Sequence, residues 1–419
     1  MQYIADLHIH SRFSRATSKN LTLANLEKYA KIKGVTLLGT GDFMHPEWQK
    51  ELKQELTDDG TGIYRTKSGF PFVLSVEISL MYRQDNNGRR VHLVILAPSM
   101  EVVDKITAYF TSFARVDYDG RPIFGKSAIE ITKALKNISE YIEIIPAHIW
   151  TPWFGMLGSK SGFNSVKEAF GDQTKHIYSF ETGISSDPAM NWRISELDSY
   201  TILSFSDLHS YWPWRMGREA TLFDLPNLTY KNLIKAIRTR EGYVGTIEVD
   251  PAYGRYHFDG HAKCGVIFSP EESREHNGIC PVCGKPLTLG VEYRVEELAD
   301  RPEGYIPPNP AKHYKLLPFS DLISGVNGGA VATKKNTATY DKFIEVFGSE
   351  FNILLNATQE ELAKVDPELA EYIIKNRKGD IKVRPGYDGE YGKAIFHEED
   401  KKEEVKPEFK KPQKSLTDY

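Results

Sequence analysis

Short apolar runs alternate with amphipathic segments through the first 243 residues of the chain. A short apolar run predicts a buried strand, and apolar positions spaced three to four residues apart predict a helix. The predicted strands are Tyr3–Leu7, Thr36–Thr40, Phe72–Val76, Val91–Leu96, Tyr141–Pro146, His176–Phe180 and Thr201–Phe205. The predicted helices are Leu23–Ile32, Val102–Phe113, Lys126–Asn137 and Asn232–Thr239. Repeated strand–helix alternation predicts an α/β fold built on a parallel sheet or barrel.

The pattern changes near residue 250, and we expect four regions along the chain. Residues 1–245 form the α/β barrel, and residues 250–310 form a small module that is too polar for a large core. Residues 311–396 are helical, with helices over Tyr340–Phe347, Thr358–Val365 and Pro367–Asn376. These helices could contact a DNA backbone, although the lack of a Gly-x-Gly hairpin favours plain packing for that segment. Residues 397–419 are rich in Lys, Glu and Pro, which predicts a disordered tail.

Composition narrows the class of protein. The 419 residues are 40% hydrophobic and 26% charged, as in ordinary globular chains, and they suffice for more than one domain. The formal net charge of −4 excludes a wholly basic nucleic-acid coat but leaves room for local basic surfaces. There is neither an apolar run of membrane-spanning length nor a signal-peptide layout, so we expect a cytoplasmic monomer without a membrane partner.

Histidines and carboxylates fall at the ends of the predicted strands. Alternate strand residues share a face, so the two imidazoles of an H-x-H sequence can point at one ion. Ligands in parallel α/β barrels come from the carboxyl ends of different strands. A lone histidine is usually structural, but a series of them at successive strand ends predicts a metal site. The candidates are His8, His10, Asp42, His45, Glu77, His92, His148, Asp207 and His209.

These donors suit Zn²⁺, Mn²⁺ or Fe, and several bridged ions can activate water for in-line phosphoryl displacement. The sequence therefore predicts metal-assisted hydrolysis in which water bridging the ions attacks a phosphodiester. We expect His8, His10, Glu77, His92, His148 and Asp207 to hold the ions, and His209 or a neighbouring basic residue to assist the leaving oxygen.

The motifs Asp6–Ser11, Gly41–Asp42, Glu77, His92, His148 and Ser206–His209 resemble the ordered motifs of PHP (polymerase and histidinol phosphatase) domains. The resemblance implies a distorted (β/α)7 barrel with two or three divalent metals, Zn²⁺, Mg²⁺ or Mn²⁺. It assigns one metal to His8, His10, Glu77 and Asp207, and a second to Glu77, His92 and His148. A third would take His209 and two further ligands, but Arg15 and Phe43 stand where those are expected. Asp42 or His45 would have to substitute.

The chain also resembles the endonuclease Q family of archaeal-type repair nucleases. The matching stretches are His8–Ser18, Ala147–Phe163, Phe180–Asp187, Ser206–Trp214, Val291–Pro302 and Arg384–Gly392. This resemblance implies cleavage of damaged DNA on the 5′ side of a deaminated base (deoxyinosine or deoxyuridine) or an abasic site.

Enzymes that act on damaged bases extrude the nucleotide and hold it by stacking. Aromatic and basic residues follow the metal-ligand candidates directly, and the Gly158–Gly162 loop could cradle a phosphate with its amides. The alternative is that these aromatic side chains belong to the core. The DNA-binding candidates are Arg12, Arg15, Trp153, Phe154, Ser159, Lys160, Ser161, Tyr211, Trp212 and Arg215.

Cys280-Pro-Val-Cys283-Gly-Lys is a zinc-knuckle signature, and Cys264 precedes it at a suitable distance. The fourth ligand is His261, which repeats the two-residue spacing, or alternatively His276. Such a Cys₃His set would hold one structural Zn²⁺. The competing interpretation is a chance C-x-x-C with a buried Cys264.

The tail carries Gln413, Leu416 and Tyr419, which resemble the peptide that docks on the sliding clamp PCNA, without its second aromatic residue. A tail bearing a short docking motif can tether a repair enzyme. Two other functions compete with a repair nuclease. A histidinol-phosphatase-like enzyme for small phosphomonoesters would use the same barrel, and a non-catalytic DNA-binding protein could retain a degenerate one.

Overall fold

The computed structural model describes residues 1–396, so the predicted tail and its clamp-binding residues Gln413, Leu416 and Tyr419 lie outside the described residues. The strands are β1 (Gln2–Asp6), β2 (Leu37–Gly39), β3 (Thr57–Asp58), β4 (Tyr64–Arg65), β5 (Pro71–Gln84), β6 (Asn87–Ala97), β7 (Ile123–Phe124), β8 (Glu143–Pro146), β9 (Ser179–Glu181), β10 (Thr201–Leu203), β11 (Ala220–Asp224), β12 (Tyr243–Glu248), β13 (Asp259–His261), β14 (Val266–Phe268), β15 (Lys312–Lys315), β16 (Val383–Arg384) and β17 (Lys393–Ala394). The helices are α1 (Leu23–Lys33), α2 (Pro46–Glu55), α3 (Met100–Thr111), α4 (Ala128–Ile138), α5 (Val166–Phe170), α6 (Pro188–Asn191), α7 (Tyr230–Thr239), α8 (Pro270–Glu275), α9 (Val291–Leu298), α10 (Phe319–Asn327), α11 (Lys334–Phe347), α12 (Gln359–Ala363) and α13 (Pro367–Lys378).

A mixed sheet of 11 strands forms the centre of the molecule. Its main path runs β15-β12-β11-β1-β2-β5-β4-β3, and β6 joins β5 to β8. The predicted α/β class is confirmed, but the purely parallel sheet is wrong because β5 and β6 pair antiparallel over their whole length. Asp85 and Asn86 both have positive φ between the paired Gln84 and Asn87, and this two-residue turn forces a hairpin.

The central sheet and a separate two-stranded sheet of β9 and β10 bring the ends of distant strands together. β1 pairs parallel with β2, β2 pairs parallel with β5, and β9 pairs parallel with β10. A parallel bridge between Ile9 and Leu208 connects the segments that follow β1 and β10. Closure of these strands into a seven-stranded barrel stays a prediction.

Local sequence signals explain the principal helices and strands. The side chain of Thr22 caps α1 at its start, and Gly34 ends it in the left-handed conformation. Ser127 and Glu130 form a reciprocal capping box at the start of α4. β5 is buried without interruption over Phe72–Leu80, as expected of a strand covered on both faces.

The C-terminal helices pack against the sheet domain through a buried ion pair. Lys33 at the end of α1 places its Nζ 2.5 Å from Oε1 of Glu350 and 3.0 Å from the carbonyl oxygen of Pro213. Glu350 also accepts from the backbone amide of Phe319 and the hydroxyl of Tyr340. The predicted helices of this region are present as α11, α12 and α13.

The insert between β12 and β15 lies against the sheet domain. Its hairpin of β13 and β14 is followed by α8 and α9. On α9, the guanidinium of Arg294 donates to the carbonyl oxygens of Leu157 and Phe163. These bonds join the insert to the loop that follows β8. Within residues 1–396, no helix is both long and apolar enough to cross a bilayer.

Candidate functional site

Four predicted ligands converge where the carboxyl ends of β1 and β10 meet β5. His8, His10, Glu77 and Asp207 each offer one ligand atom, and these atoms lie within 4.8 Å of one another. Nε2 of His10 is 3.1 Å from both Oε2 of Glu77 and Oδ1 of Asp207. Nε2 of His8 is 3.4 Å from Oε2 of Glu77 and has no hydrogen-bond partner among the described residues. An orphaned buried nitrogen facing carboxylates is a suitable donor for a cation.

A second group shares Glu77. Its other oxygen, Oε1, lies 2.6 Å from Nδ1 of His92 and 3.2 Å from Nε2 of His148. These two nitrogens are 3.4 Å apart, and the three ligand atoms form a compact set. Glu77 therefore presents one carboxylate oxygen to each group, which is the arrangement of a bridging carboxylate.

The backbone is strained at this site. Asp42, His148 and Asp207 have φ values of 48°, 31° and 48°, in the left-handed region that side chains with a Cβ disfavour. Such conformations cost about 1–3 kcal/mol each and cluster at functional sites. His148 and Asp207 are candidate ligands, and Asp42 forms a hydrogen bond with a third candidate, His10.

Buried hydrogen bonds orient the imidazoles. Nδ1 of His8 lies 2.8 Å from Oε2 of Glu181, and Nδ1 of His10 lies 3.1 Å from Oδ1 of Asp42. An ionised carboxylate only accepts, so Nδ1 carries a proton in each ring and Nε2 is the nitrogen left to bind a metal. Nδ1 of His148 similarly donates to Oγ1 of Thr151 at 3.1 Å, because that hydroxyl donates to a carbonyl oxygen.

Glu181 was missed by the sequence analysis. Its Oε2 also accepts from the backbone amide of His148 at 3.2 Å, so one carboxylate connects the two groups. We expected a strand over His176–Phe180, but residues 171–176 form a 3₁₀ helix and the strand is Ser179–Glu181. Two signals could have indicated this residue, its position directly after the predicted strand and its place in the matching stretch Phe180–Asp187.

Asp42 lies outside both ligand groups, contrary to its suggested role as a direct ligand. Its Oδ2 accepts from the backbone amide of Ser11 at 2.6 Å and from the hydroxyls of Ser11 and Ser14. Both of its oxygens are therefore engaged, and it positions His10 instead. The alternative ligand His45 stacks on Phe13 at a centroid distance of 4.5 Å.

His209 also lies outside both groups. Its Nδ1 donates to the carbonyl oxygen of Asp207 at 2.8 Å, and its ring meets that of His10 edge-on at 4.7 Å. Among residues 1–396, no third group of His, Asp or Glu ligands forms at this site.

The charges favour ionised carboxylates. Burial alone would raise the pKa of Glu77, but His92 and Arg121 hold that pKa well below its ordinary value. Burial likewise opposes ionisation of Asp207, but His209 and His8 lower its pKa well below the ordinary range. Two carboxylates that stay ionised near neutral pH meet the first requirement of a divalent metal site.

A cavity of about 570 Å³ opens beside both groups. The predicted residues Arg15, Trp153 and Phe154 line it, together with His92, His148 and Asp207. Lining residues that sequence did not identify come from distant parts of the chain. They include Asp119, Arg121, Arg218, Arg255, Tyr256, His257 and Tyr391. Four of the lining residues are arginines, Arg15, Arg121, Arg218 and Arg255, and their positive charge makes the cavity suitable for an anion.

Several predicted DNA-binding residues lie outside this cavity. Arg12 pairs with Glu51, and Tyr211 packs against Tyr29 at 4.8 Å. Trp212 stacks parallel on Trp214 at 5.2 Å and remains 40% exposed. Arg215 lines a neighbouring cavity of about 220 Å³ that shares Tyr391 with the larger one, and its guanidinium lies 5.9 Å from the Tyr391 ring.

The expected phosphate cradle at Gly158–Gly162 is wrong for three of its amides. The amides of Gly158, Lys160 and Gly162 donate to carbonyl oxygens within the loop. The hydroxyl of Ser159 donates to the carbonyl oxygen of Leu289, and Ser161 is buried. The loop therefore supports the insert, and the side chain of Lys160 alone stays exposed.

The insert assembles the predicted Cys₃His set. His261, Cys264, Cys280 and Cys283 place one ligand atom each within 4.8 Å of the others, with Nδ1 of His261 3.3 Å from Sγ of Cys283. His276 is directed elsewhere, because its Nδ1 lies 2.9 Å from the carbonyl oxygen of Glu272 and its ring packs on Phe268. The geometry favours His261 over His276.

Comparison with known proteins gives likenesses of different extent. Residues 318–380 match the family described as the MJ0043 C-terminal domain. The uncharacterized protein MJ0043 of Methanocaldococcus jannaschii is 35% identical over 256 residues, which are 59% of this chain and 31% of that longer protein. The uncharacterized protein YqxK of Bacillus subtilis is 29% identical over 409 residues, covering 93% of this chain and 98% of that one.

Two solved structures match nearly the whole chain. The lesion-specific endonuclease PfuEndoQ from Pyrococcus furiosus is 30% identical, covers 97% of this chain and 98% of its own, and superposes with a TM-score of 0.85. Endonuclease Q in complex with a 27-mer duplex substrate, with an abasic lesion at the active site, is 30% identical with 95% and 98% coverage and a TM-score of 0.86. On this full-length likeness in sequence and fold, the chain belongs to the endonuclease Q family.

Proposed function

We propose that this chain is a metal-dependent DNA repair endonuclease. It hydrolyses the backbone on the 5′ side of deaminated bases (deoxyinosine or deoxyuridine) or abasic sites. The observation that carries the proposal is the bridging position of Glu77 between two ligand groups beside a cavity of about 570 Å³. A cavity of this volume accommodates an extruded nucleotide. The likeness to an endonuclease Q that holds an abasic duplex at its active site supports DNA as the substrate.

The residues present fit two divalent ions. Imidazole nitrogens and carboxylate oxygens suit Zn²⁺ or Mn²⁺, and the orphaned Nε2 of His8 has a lone pair to offer. His8, His10, Glu77 and Asp207 would hold one ion, and Glu77, His92 and His148 the other. When bound, such a pair lowers the pKa of water and stabilises both oxygens of an in-line displacement. The proposal includes Mg²⁺ as an alternative metal and three ions as an alternative number.

The protein's own groups prepare this site. Glu181 and Asp42 hold the rings of His8 and His10 in one tautomer, so their donor atoms need no reorientation. His209 is partly exposed, and its Nδ1 is committed to the carbonyl oxygen of Asp207. Its Nε2 is therefore the atom that would exchange a proton with the leaving oxygen. Burial lowers the pKa of His209, so the ring, once protonated, gives up its proton readily to the leaving oxygen.

Aromatic side chains give the cavity a stacking wall. Trp153 meets Tyr256 edge-on at a centroid distance of 5.4 Å, and Phe154 packs on His92 at 4.4 Å. A nucleotide without its base loses neither stacking nor pairing when it is extruded, and a mismatched deaminated base loses less pairing energy than a correctly paired base. Selectivity for lesions follows from this difference in the cost of extrusion.

Three further assignments accompany this proposal. The Cys₃His set of the insert would hold a structural Zn²⁺, and its four residues would thereby be tied to the hairpin of β13 and β14. The regions expected from the sequence, 1–245, 250–310 and 311–396, act as barrel, zinc module and helical DNA-contacting region. The tail residues Gln413, Leu416 and Tyr419 contact the sliding clamp.

The test uses a labelled duplex with one deoxyinosine or abasic site, incubated with protein and Mg²⁺, Mn²⁺ or Zn²⁺ and sized on a denaturing gel. We expect one nick on the 5′ side of the lesion and none in the undamaged duplex. Asp207→Asn should abolish cutting, whereas Glu101→Gln, an exposed carboxylate on α3, should cut like the wild type. Hydrolysis of a chromogenic phosphomonoester without any nick would favour the small-molecule phosphatase instead.

A further inference from the structure

One guanidinium contacts the bridging carboxylate of the candidate metal site. Nη1 of Arg121 lies 3.1 Å from Oε2 of Glu77, and its side chain is 26% exposed on the wall of the larger cavity. Within residues 1–396, no other arginine contacts a member of either ligand group. Arginine is the residue usually found where several N–H groups donate to one carboxylate or phosphate.

The segment that carries Arg121 is held rigidly. Oδ1 of the buried Asp119 accepts from the backbone amides of Arg121 and Arg15, at 3.1 and 3.2 Å. The amide of Gly120 donates to the carbonyl oxygen of Phe13 at 3.1 Å. A side chain at Gly120 would overlap Asp42, because a Cβ built there lies 2.2 Å from Oδ2 of that residue. The position of Arg121 is thereby tied to the backbone that carries the ligands.

Most N–H donors of the Arg121 guanidinium have no acceptor among the described residues. Arginine offers five N–H donors, and among the described residues the guanidinium of Arg121 has one hydrogen-bond acceptor, Oε2 of Glu77. Arg121 lines the cavity together with His92, His148 and Asp207 of the two ligand groups. An arginine side chain stays protonated at every relevant pH, so these donors always carry positive charge.

We propose that Arg121 is a catalytic residue that binds the cleaved phosphodiester, donating to its non-bridging oxygens as negative charge develops there. It remains protonated throughout and transfers no group. Fixed donors aimed at developing charge are worth roughly 10²- to 10³-fold in rate when one is removed. The inference rests on the proposed function for its substrate, but the phosphate-binding role stands on the geometry alone.

Two measurements test it on full-length, metal-loaded protein, with Arg121→Ala, Arg121→Lys and a control, Arg115→Ala. Arg115 is an exposed arginine of the same loop, paired with Asp117. The first measurement titrates inorganic phosphate by calorimetry, and the second follows single-turnover cleavage of an abasic duplex. Metal content and duplex affinity are measured on every variant.

We expect Arg121→Ala to bind phosphate at least ten-fold more weakly and to cut at least a hundred-fold more slowly, with unchanged metal content and duplex affinity. Arg121→Lys should recover part of the rate, and the Arg115 variant should match the wild type. Wild-type phosphate affinity in Arg121→Ala, or loss of metal from it, would overturn the inference. A wild-type protein that cuts no DNA refutes the proposed function, and the phosphate titration then still decides the role of Arg121.

Discussion

Glu181 gives the sharpest test of how the metal site is built. Its carboxylate accepts from Nδ1 of His8 at 2.8 Å and from the backbone amide of His148 at 3.2 Å, so each ligand group depends on it. Glu181→Gln keeps the shape but removes the negative charge that makes His8 a stronger donor. Glu181→Ala also leaves two buried N–H groups without acceptors. Removing such a supporting carboxylate typically lowers metal affinity 10- to 100-fold.

We therefore expect metal affinity to fall about ten-fold in Glu181→Gln and about a hundred-fold in Glu181→Ala. These losses correspond to about 1.4 and 2.8 kcal/mol. Competition with a chromogenic chelator measures the affinity, and a thermal melt reports the fold of each apo protein. Glu143→Gln is the matched control, because Glu143 is equally buried, pairs with Arg238 and contacts neither ligand group. Wild-type metal affinity in a folded Glu181→Ala protein would refute the reasoning.

Three further predictions address the insert, the ion pair and the pH dependence. The Cys283→Ser protein should lose one Zn²⁺ per chain, and amide hydrogen exchange should become faster in the insert but not in β1. Equally faster exchange in both places would contradict a closed local site. Lys33→Met leaves Glu350 buried without its partner and should cost about 3–5 kcal/mol in chemical denaturation, whereas Lys53→Met at an exposed pair should cost under about 1 kcal/mol. Burial raises the pKa of the Glu219 carboxyl from 4.5 to about 8. The protonated carboxyl therefore stabilises the folded state fully below the unfolded-state pKa of 4.5, and this stabilisation is lost as pH rises through about 8. Glu219→Gln stays neutral, so its melting temperature should fall less than that of the wild type between pH 6 and 9; parallel pH profiles would contradict this.

The metal ligands were predictable because they depend on local pattern. A buried strand must end where its apolar run ends, and a polar residue placed there points out of the same edge of the sheet. His8, His10 and Asp207 follow this rule, and the structure brings them together with Glu77. His92 was found although it lies inside β6, since the antiparallel hairpin carries its side chain back to the same edge.

The residues that support the ligands were not predicted from the sequence, and the reasons are physical. Glu181 was not predicted because a 3₁₀ helix ends at His176, so its strand begins at Ser179, three residues after the predicted start. Asp119 and Arg121 lie in a loop without any periodic pattern, so no sequence rule places them beside Glu77. Asp42 was identified, but its role depends on the hydrogen bonds of Ser11 and Ser14, which only coordinates reveal.

Distant parts of the chain meet at the cavity. The ligands come from strands and the segments that follow them in the first 210 residues, whereas Tyr256 and His257 come from the insert and Tyr391 from the last described segment. Tyr391 packs between Arg215 and Arg255, so it holds the insert and the segment after β10 at one wall. Under the proposed function, substitutions of these three residues should change which lesions are cut before they change metal content. Chemistry and selectivity can therefore vary separately in this fold, because different parts of the chain supply them.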